Sequence, residues 1–270
     1  MTSRALVLSR GLGRRMQQPD DSTQLTDEQR RAADAGLKGM MPIAGRPLLD
    51  YGLSTLADAG ITDVGLIVAP DHEVIERYYS ATSPPVRLHL DFLVQPDPLG
   101  TANALLAAES WAGDAPFLAL NADNLYPAGV LRRLAALDEP GLPCFTRSQL
   151  VRSSNIPDER VQTFALLEVN AEGYLTRIVE KPPAEVMDAG GAAALVSMNC
   201  WRFDRRIFSA CRDVPRSPRG EFELPIAVGL AISRGVMFRT VPAHGPVLDL
   251  SQRSDAAEVA RRLSGVVPRP

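Results

Sequence analysis

Three short runs of uninterrupted apolar residues constrain the fold of this chain most strongly. They occupy residues 5–8 (ALVL), 64–68 (VGLIV) and 117–120 (FLAL). Strands that are apolar on both faces are typical of a parallel sheet covered by helices on each side. Helical patterns accompany them, at residues 47–59, 100–111 and 127–137. The alternation predicts an α/β fold with a doubly wound, Rossmann-like sheet and right-handed crossovers.

The second half of the chain is less regular. Strands are predicted at residues 164–169, 174–179 and 195–203, the first two joined by the turn sequence NAEG. Helices are predicted at residues 221–233 and 254–263. We interpret the proline- and glycine-containing residues 182–191 as a mobile loop and residues 266–270 (VVPRP) as a frayed tail.

Composition excludes several classes of protein. The 270 residues carry a net charge of −3, which gives no global affinity for nucleic acid or anionic membranes. Cys144, Cys200 and Cys211 are too scattered for a disulfide framework or a cysteine metal site. Neither a signal peptide nor an apolar run of membrane-spanning length is visible. We therefore predict a cytoplasmic protein without membrane or nucleic-acid partners, and a homo-oligomer stays open.

The segment LSRGLGRRM, residues 8–16, follows the first apolar run. Gly11 and Gly13 let backbone N–H groups approach an anion at the carboxyl end of a strand, where open α/β sheets bind ligands. Arg14 and Arg15 add forked cations that match phosphate geometry. Taken alone, the segment is equally consistent with a phosphate loop and with a glycine turn that carries solvated arginines.

The loop is one of seven segments that recur together in one order. They read LSRGLGRRM, KGMMPIAGRPLLDYGLSTLADAGITDVGLIV, QPDPLGTANALLAA, FLALNADNLYP, VEKP, SMNCWRF and RGEFELP. In this order they resemble the signature blocks of the sugar-1-phosphate nucleotidyltransferases, or nucleotide-sugar pyrophosphorylases. The resemblance implies one nucleotidyltransferase domain with a mixed sheet. Residues 1–140 would form its nucleotide-binding half, 141–250 a small sugar-binding lobe, and 251–270 a C-terminal helix and tail.

The family resemblance implies a reaction between two anions. A phosphate oxygen of a sugar 1-phosphate attacks the α-phosphorus of a nucleoside triphosphate (NTP) in line, giving an NDP-sugar and pyrophosphate. Such a reaction needs cations that position the reactants and stabilise developing charge. By resemblance, Arg15 holds the β- and γ-phosphates and Lys38 the α-phosphate region. Asp123 and Asp249 hold Mg²⁺, which prefers carboxylate and phosphate oxygens.

The resemblance also assigns residues to each substrate. Nucleotide-binding residues are Leu8, Gly11, Gly13, Arg15, Gln95, Gly100 and Thr101. A glutamine amide both donates and accepts, so Gln95 suits uracil or thymine and favours UTP or dTTP, although it also suits adenine. Lys181 would pair with the sugar phosphate, while Glu180 and Asn199 would bind sugar hydroxyls.

Four residues depart from the family pattern. Arg10 replaces a small residue beside the base, and Gly39 replaces a proline after Lys38. Ala122 and Ala165 replace glycines where backbone meets ligand.

The stretch between Arg15 and Lys38 is about twice the family's length. Its sequence Thr26-Asp-Glu-Gln29 is a capping box, which predicts a short helix ending near Gly36. We hypothesise that residues 17–37 form a mobile lid over the triphosphate.

Two alternatives stay open at this stage. One is a relative that activates a non-sugar phosphate, such as phosphocholine or a phosphorylated cyclitol, with ATP, GTP or CTP as donor. The other is a sensor that binds nucleotide sugars without turnover.

Overall fold

The computed structural model describes residues 1–18, 20 and 23–270. The described strands are β1 (Arg4–Leu8), β2 (Pro42–Ile43), β3 (Arg46–Pro47), β4 (Asp63–Val68), β5 (His89–Val94), β6 (Phe117–Asn121), β7 (Asn124–Leu125), β8 (Gly141–Thr146), β9 (Ala165–Val169), β10 (Leu175–Val179), β11 (Leu195–Ser197), β12 (Trp201–Phe203), β13 (Arg239–Pro242) and β14 (Leu248–Asp249).

The described α-helices connect and cover these strands. They are α1 (Arg14–Gln17), α2 (Asp27–Asp34), α3 (Leu48–Asp58), α4 (Glu73–Arg77), α5 (Thr101–Leu106), α6 (Glu109–Ala112), α7 (Ala128–Ala135), α8 (Arg147–Ser153), α9 (Asp158–Val161), α10 (Ala184–Ala189), α11 (Arg206–Asp213), α12 (Leu224–Ser233) and α13 (Asp255–Arg262). Short 3₁₀ turns at Lys38–Met40 and Gly191–Ala193 and a π-helical turn at Tyr78–Thr82 complete the set.

One mixed sheet runs through both halves of the chain. Its order is β10-β9-β11-β8-β12-β6-β1-β4-β5, with β13 beside β8. Strands β6, β1, β4 and β5 are parallel, as the apolar runs predict, whereas β12 is antiparallel to both β6 and β8. The predicted α/β mixed-sheet fold is therefore confirmed. The division near residue 140 stays a functional prediction, because the sheet is continuous across it.

Helices bury apolar residues on both faces of the sheet, and this places the core. One cluster includes Val7, Leu53 and Leu120, and another centres on Phe117 and Trp201. A third, smaller cluster joins the capping-box helix to the rest of the protein through Met16, Ala33, Met41 and Ile43. The alternation of strand and helix therefore directs the carboxyl ends of β1, β4, β5 and β6 to one edge.

Two predicted elements are interrupted. The helix predicted at residues 100–111 is two helices, α5 and α6, and nothing in the local sequence marks the break. The strand predicted at residues 195–203 is also two strands, because Asn199 adopts a left-handed conformation with φ +55°. Only a few non-glycine residues adopt such angles, and asparagine is among the most tolerant.

Two loop predictions are wrong in their structure. Residues 182–191 contain α10, whose Met187 is buried, rather than a loop throughout. The C-terminal residues do not fray, because Pro270 O accepts hydrogen bonds from the Val86 and Arg87 backbones and Arg269 N donates to Ser54 Oγ. Proline carbonyls remain good acceptors, so a proline-rich tail can dock through its backbone.

Candidate active site

A cleft of about 340 Å³ lies at the carboxyl ends of the parallel strands. Most of the predicted site residues line it: Leu8, Gly11, Gly13, Arg15, Lys38, Gln95, Gly100, Thr101 and Asp123. Glu180, Lys181, Asn199 and Asp249 are not among its lining residues. Crossover connections bring these distant segments to one sheet edge, which is the usual ligand site of an open α/β fold.

The loop after β1 depends on two glycines with positive φ. Gly13 (φ +59°) and Gly36 (φ +71°) approach so closely that a Cβ on Gly13 would lie 2.7 Å from Gly36 O. Only glycine combines this conformation with this contact. The approach places Arg15 and Lys38 in the same cleft. No atom of the described residues lies within 4 Å of the position that a Cβ of Gly11 would take, so this side of its backbone is open to a ligand.

Arg253 holds the long insertion in place, and sequence reasoning missed it. Its Nε donates to Met16 O at 2.8 Å and its Nη2 to Asp34 Oδ1 at 2.6 Å. The capping box predicted for α2 is confirmed, since Thr26 and Gln29 exchange both hydrogen bonds. The lid hypothesis stays a prediction, part of which falls on Pro19, Asp21 and Ser22, outside the described residues. Opening of α2 would have to break the ion pair between Arg253 and Asp34.

Lys38 and Asp123 form an ion pair in the cleft. Lys38 Nζ donates to Asp123 Oδ2 at 2.9 Å, and both side chains are mostly buried. Asp123 follows β6, and Lys38 begins the 3₁₀ turn after the insertion. The structure thus brings together a cation and a carboxylate that are 85 positions apart in sequence.

Asp249 lies next to this pair because β14 pairs with β7, and Leu250 N donates to Asp123 O. Burial raises the pKa of Asp249, and the charge of Asp123 raises it further. Three donors hold its carboxylate: Asn124 Nδ2 at 2.9 Å, Ser251 Oγ at 3.1 Å and Arg160 Nη1 at 2.7 Å. Sequence reasoning missed Arg160, since α9 carries no motif that indicates it.

The two aspartates fit a Mg²⁺ ion. A carboxylate offers about four lone-pair positions, so Asp249 retains one, and the Asp123 carboxylate has Lys38 as its single hydrogen-bond partner among the described residues. Two repelling carboxylates favour a cation between them. In the described part of the chain, no three His, Cys, Asp or Glu side chains group as metal ligands. The set instead suits Mg²⁺, which takes one or two carboxylates together with substrate phosphates and water.

Hydrogen bonds fix the residues that are predicted to read the base. Gln95 is buried, and its Nε2 donates to Gly100 O at 3.2 Å and to Asn103 Oδ1 at 2.8 Å. Thr101 lines the cleft, but its Oγ1 accepts from Leu224 N at 2.9 Å, so the hydroxyl also fixes α12.

Gly100 is expected to tolerate no side chain. Its φ is +111°, and a Cβ would lie 2.5 Å from Phe222 O. We expect Gly100→Ala to lower the free energy of unfolding by about 3 kcal/mol, through backbone strain and overpacking. Urea denaturation measures this change.

Gly129→Ala is the matched control, because Gly129 lies in α7 and its added Cβ would meet no atom of the described residues within 4 Å. We expect that variant to stay within about 1 kcal/mol of the parent protein. Equal stability of the two variants would contradict the account.

Two residues that are predicted to bind the sugar phosphate have strained backbones. Lys181 and Asn199 have φ of +45° and +55°, and strain of this kind concentrates at functional sites. Asn199 Nδ2 donates to Asn121 Oδ1 at 2.8 Å, and Asn121 lines the cleft. Asn121, which was not predicted, therefore connects Asn199 to the cleft. Trp201 Nε1 donates a hydrogen bond to Asn199 Oδ1 at 2.8 Å.

Glu180 is paired with a second carboxylate, Glu223. Burial, followed by the charge and hydrogen bond of Glu223, raises the pKa of Glu180 to about 7. Although burial also acts on Glu223, hydrogen bonds from Ser217 and Arg219 bring its pKa below the ordinary value. Below about pH 7, Glu180 therefore holds the proton, while Glu223 keeps its charge.

This pairing predicts a pH-dependent stability. Between the ordinary glutamate pKa of 4.5 and about 7, the folded protein holds a proton on Glu180 that the unfolded chain releases. Stability therefore falls as pH rises through this window. We expect Glu180→Gln to remove about 1–2 kcal/mol of the loss between pH 5 and pH 8 in urea denaturation, allowing for partial exposure.

Glu172→Gln, at an exposed position, is the control and should keep the pH slope of the parent protein. Identical slopes for Glu180→Gln and the parent would refute the assignment.

The fold and the site together define a class of proteins. The family model for nucleotidyl transferases matches residues 34–244. The chain belongs to the nucleotidyl transferase family.

Among solved structures, UDP-glucose pyrophosphorylase in complex with UDP-glucose superposes with a TM-score of 0.77 at 18% identity, covering 98% of this chain and 99% of that one. At this identity, the likeness establishes the fold.

Curated relatives are more similar in sequence. A glucose-1-phosphate thymidylyltransferase of Streptomyces antibioticus is 28% identical over 98% of this chain and 68% of its own length. The Haloferax volcanii UTP–glucose-1-phosphate uridylyltransferase AglF is 26% identical over 84% of this chain and 87% of its own length. The low-salt glycan biosynthesis nucleotidyltransferase Agl11 of the same organism is 27% identical over 83% of this chain. The match covers only 59% of the length of Agl11.

Proposed function

We propose that this chain transfers a nucleotidyl group from an NTP to a sugar 1-phosphate, giving an NDP-sugar and pyrophosphate. The observation that carries the proposal is the Lys38–Asp123 pair, 2.9 Å apart in a cleft that Arg15 also lines. Family membership and the names of the relatives support the same reaction. UTP and dTTP are the favoured donors, and the cytoplasm is the proposed location. In the described part of the chain, no helix is long and apolar enough to cross a bilayer.

The proposed residues divide the electrostatic work of the transfer. The phosphate oxygen of the acceptor forms a bond to the α-phosphorus while the bond to the β-phosphate oxygen breaks. Arg15 stabilises the departing pyrophosphate, and Lys38 stabilises charge on the α-phosphate oxygens. Asp123 and Asp249 would hold Mg²⁺, which neutralises phosphate charge when bound. Lys181 would bind the acceptor phosphate, with Glu180 and Asn199 at its hydroxyls.

Direct transfer without a covalent enzyme intermediate agrees with the state of the cysteines. Cys144, Cys200 and Cys211 are all buried. Burial raises the pKa of both Cys144 and Cys211 to about 12, and it also raises that of Cys200. Neutral thiols are poor nucleophiles, so these residues are structural.

A substrate matrix tests the proposal. Each common NTP is combined with sugar 1-phosphates, phosphocholine and a cyclitol phosphate in the presence of Mg²⁺, and pyrophosphate release is measured. We expect release that requires both substrates, with a sugar 1-phosphate as the best acceptor. Preference for a non-sugar phosphate would show that the acceptor is not a sugar 1-phosphate. Silence across the matrix, with nucleotide binding retained, would support a sensor and overturn the proposal.

A further inference from the structure

Three asparagine side chains connect a residue that is predicted to bind the acceptor with a predicted metal ligand. Asn199 Nδ2 donates to Asn121 Oδ1 at 2.8 Å, and Asn121 Nδ2 donates to Asn124 Oδ1 at 3.3 Å. Asn124 Nδ2 in turn donates to Asp249 Oδ1 at 2.9 Å. We call these three asparagine side chains the amide relay. Its hydrogen bonds run without a gap from Asn199 to Asp249.

The direction of the amide relay is fixed at both of its ends. At one end, Trp201 Nε1 donates to Asn199 Oδ1 at 2.8 Å, and an indole N–H can only donate. At the other end, Asn124 meets the Asp249 carboxylate, which only accepts when it is ionised. Turning over any one amide would bring two donors or two acceptors face to face. Both ends require the same direction, so each asparagine has a single orientation.

The sheet explains why these side chains meet. Strand β12 is antiparallel to β6, and this brings Asn199, just before β12, beside Asn121 at the end of β6. In the antiparallel pair β7–β14, Asn124 lies directly opposite Asp249. Residues that face each other in this way project their side chains from the same face. The amide relay is therefore supported by the backbones of paired strands.

Hydrogen bonds in such a chain affect one another. Each amide of the relay directs its N–H end toward Asp249, so the dipoles of the three amides point the same way. Aligned hydrogen bonds polarise their neighbours, and the effect is stronger inside a protein than in water. A cation that binds the Asp249 carboxylate should therefore change the hydrogen bond that Trp201 makes at the far end of the relay.

We propose that Asn121 is a positioning residue that orients Asn199 and Asp249 together through the amide relay. Asn121 makes no hydrogen bond to Asp249, so its effect there passes through Asn124. By holding Asn199 on one side and Asn124 on the other, it links the acceptor end of the site to the carboxylate that would hold Mg²⁺. This inference rests on the proposed function, because it adds a residue to the same site.

The indole NMR signals test the relay without turnover. The chain has two tryptophans, so a protein with ¹⁵N-labelled tryptophan gives two side-chain N–H signals, which Trp201→Phe assigns. Trp201 lies at the donor end of the relay, whereas Trp111 Nε1 donates to Asp91 Oδ2, outside it. We expect Mg²⁺ to shift the Trp201 signal and to leave the Trp111 signal unchanged.

Asn121→Leu keeps the approximate size of the side chain and removes both hydrogen bonds of Asn121. In this variant we expect Mg²⁺ to leave the Trp201 signal unshifted. Mn²⁺ affinity, measured by electron paramagnetic resonance, should fall about 10-fold, a typical loss when a hydrogen-bond partner of a metal ligand is disturbed. Asn121→Ala, which cannot overpack the site, should give the same result, and an unchanged Trp111 signal reports an intact fold.

A double-mutant cycle shows whether Asn121 acts through Asn124. Asn124→Ala removes the donor to Asp249 directly. In that background, Asn121→Leu should cause no further loss of Mn²⁺ affinity, because the connection to Asp249 is already broken. A full further loss would overturn the inference, since Asn121 would then act on the metal site by another route.

Ser251→Ala is the matched control. Ser251 Oγ donates to the same oxygen of Asp249, at 3.1 Å, but lies outside the amide relay. This variant should weaken Mn²⁺ binding and still show the Trp201 shift at saturating Mg²⁺. The inference is overturned if Mg²⁺ leaves Trp201 unshifted in the parent protein, or if the shift persists in Asn121→Leu. Loss of the shift in Ser251→Ala would also overturn it.

The two proposals fail in different ways. A Trp201 response that depends on Asn121, together with a silent substrate matrix, would reject the transferase reaction alone. Turnover by a parent protein whose Trp201 signal does not respond to Mg²⁺ would reject the role of Asn121 alone.

Discussion

Arg15→Ala is expected to lower kcat at least about 10²-fold, because it removes a cation that stabilises charge on the departing pyrophosphate. Arg15 lines the cleft, its side chain is exposed, and no carboxylate of the described residues pairs with it. The whole charge is therefore available to a ligand, and its removal leaves no buried acceptor behind. Steady-state pyrophosphate release at saturating substrates measures the change, and folding should be unaffected.

Arg14→Ala is the matched control for Arg15. Arg14 has the same charge, lies on the same short helix and also lines the cleft. It occupies a serine or threonine position of the family signature, so we expect a loss below about 10-fold. Near-normal release by Arg15→Ala, or an equal loss in both variants, would contradict the assignment of Arg15.

Asp123→Asn is expected to lower kcat about 10³-fold at a fixed Mg²⁺ concentration. The substitution keeps the shape of the side chain but removes the negative charge that would hold Mg²⁺ and that now pairs with Lys38. The loss should shrink as Mg²⁺ is raised, because weakened metal binding is partly offset by concentration. Activity titrations against Mg²⁺ give this dependence, and Mn²⁺ binding followed by electron paramagnetic resonance reports affinity independently of turnover.

Asp249→Asn is expected to lower stability as well as metal binding. Asp249 is buried against Arg160, so its neutralisation leaves a buried cation with one partner fewer. We expect this variant to lose activity and about 3 kcal/mol of stability, whereas Asp123→Asn should lose less stability because the Lys38–Asp123 pair is more exposed than the Arg160–Asp249 pair. Wild-type activity of Asp123→Asn at low Mg²⁺ would remove Asp123 from the mechanism.

Local patterns predicted the framework of the fold because they depend on neighbouring residues. Uninterrupted apolar runs, without polar alternation, predicted β1, β4 and β6. The Thr26–Gln29 capping box predicted the start of α2. The same patterns could not locate the breaks in long elements. The left-handed Asn199 divides the strand predicted at residues 195–203 into two. Its side chain is fixed by Asn121, which is distant in sequence, and by Trp201, two residues further on.

Only the site residues that lie in sequence motifs were predicted. Arg15, Lys38 and Asp123 stand in recognisable blocks, and the structure brings all three to one cleft. Arg160, Arg253 and Glu223 act through contacts with residues distant in sequence, such as Asp249, Asp34 and Glu180. Pairings of this kind arise from the tertiary fold, so a single sequence carries no local signal for them.

The fate of isotopic label is the most direct test of the central claim, which is attack at the α-phosphorus. The protein is incubated with Mg²⁺, a sugar 1-phosphate and UTP or dTTP labelled either at the α- or at the γ-phosphate. We expect α-label to enter a product resistant to alkaline phosphatase, while γ-label leaves entirely as pyrophosphate. Release of γ-label as orthophosphate, or its transfer to the acceptor, would show that the cleft performs a different phosphate chemistry.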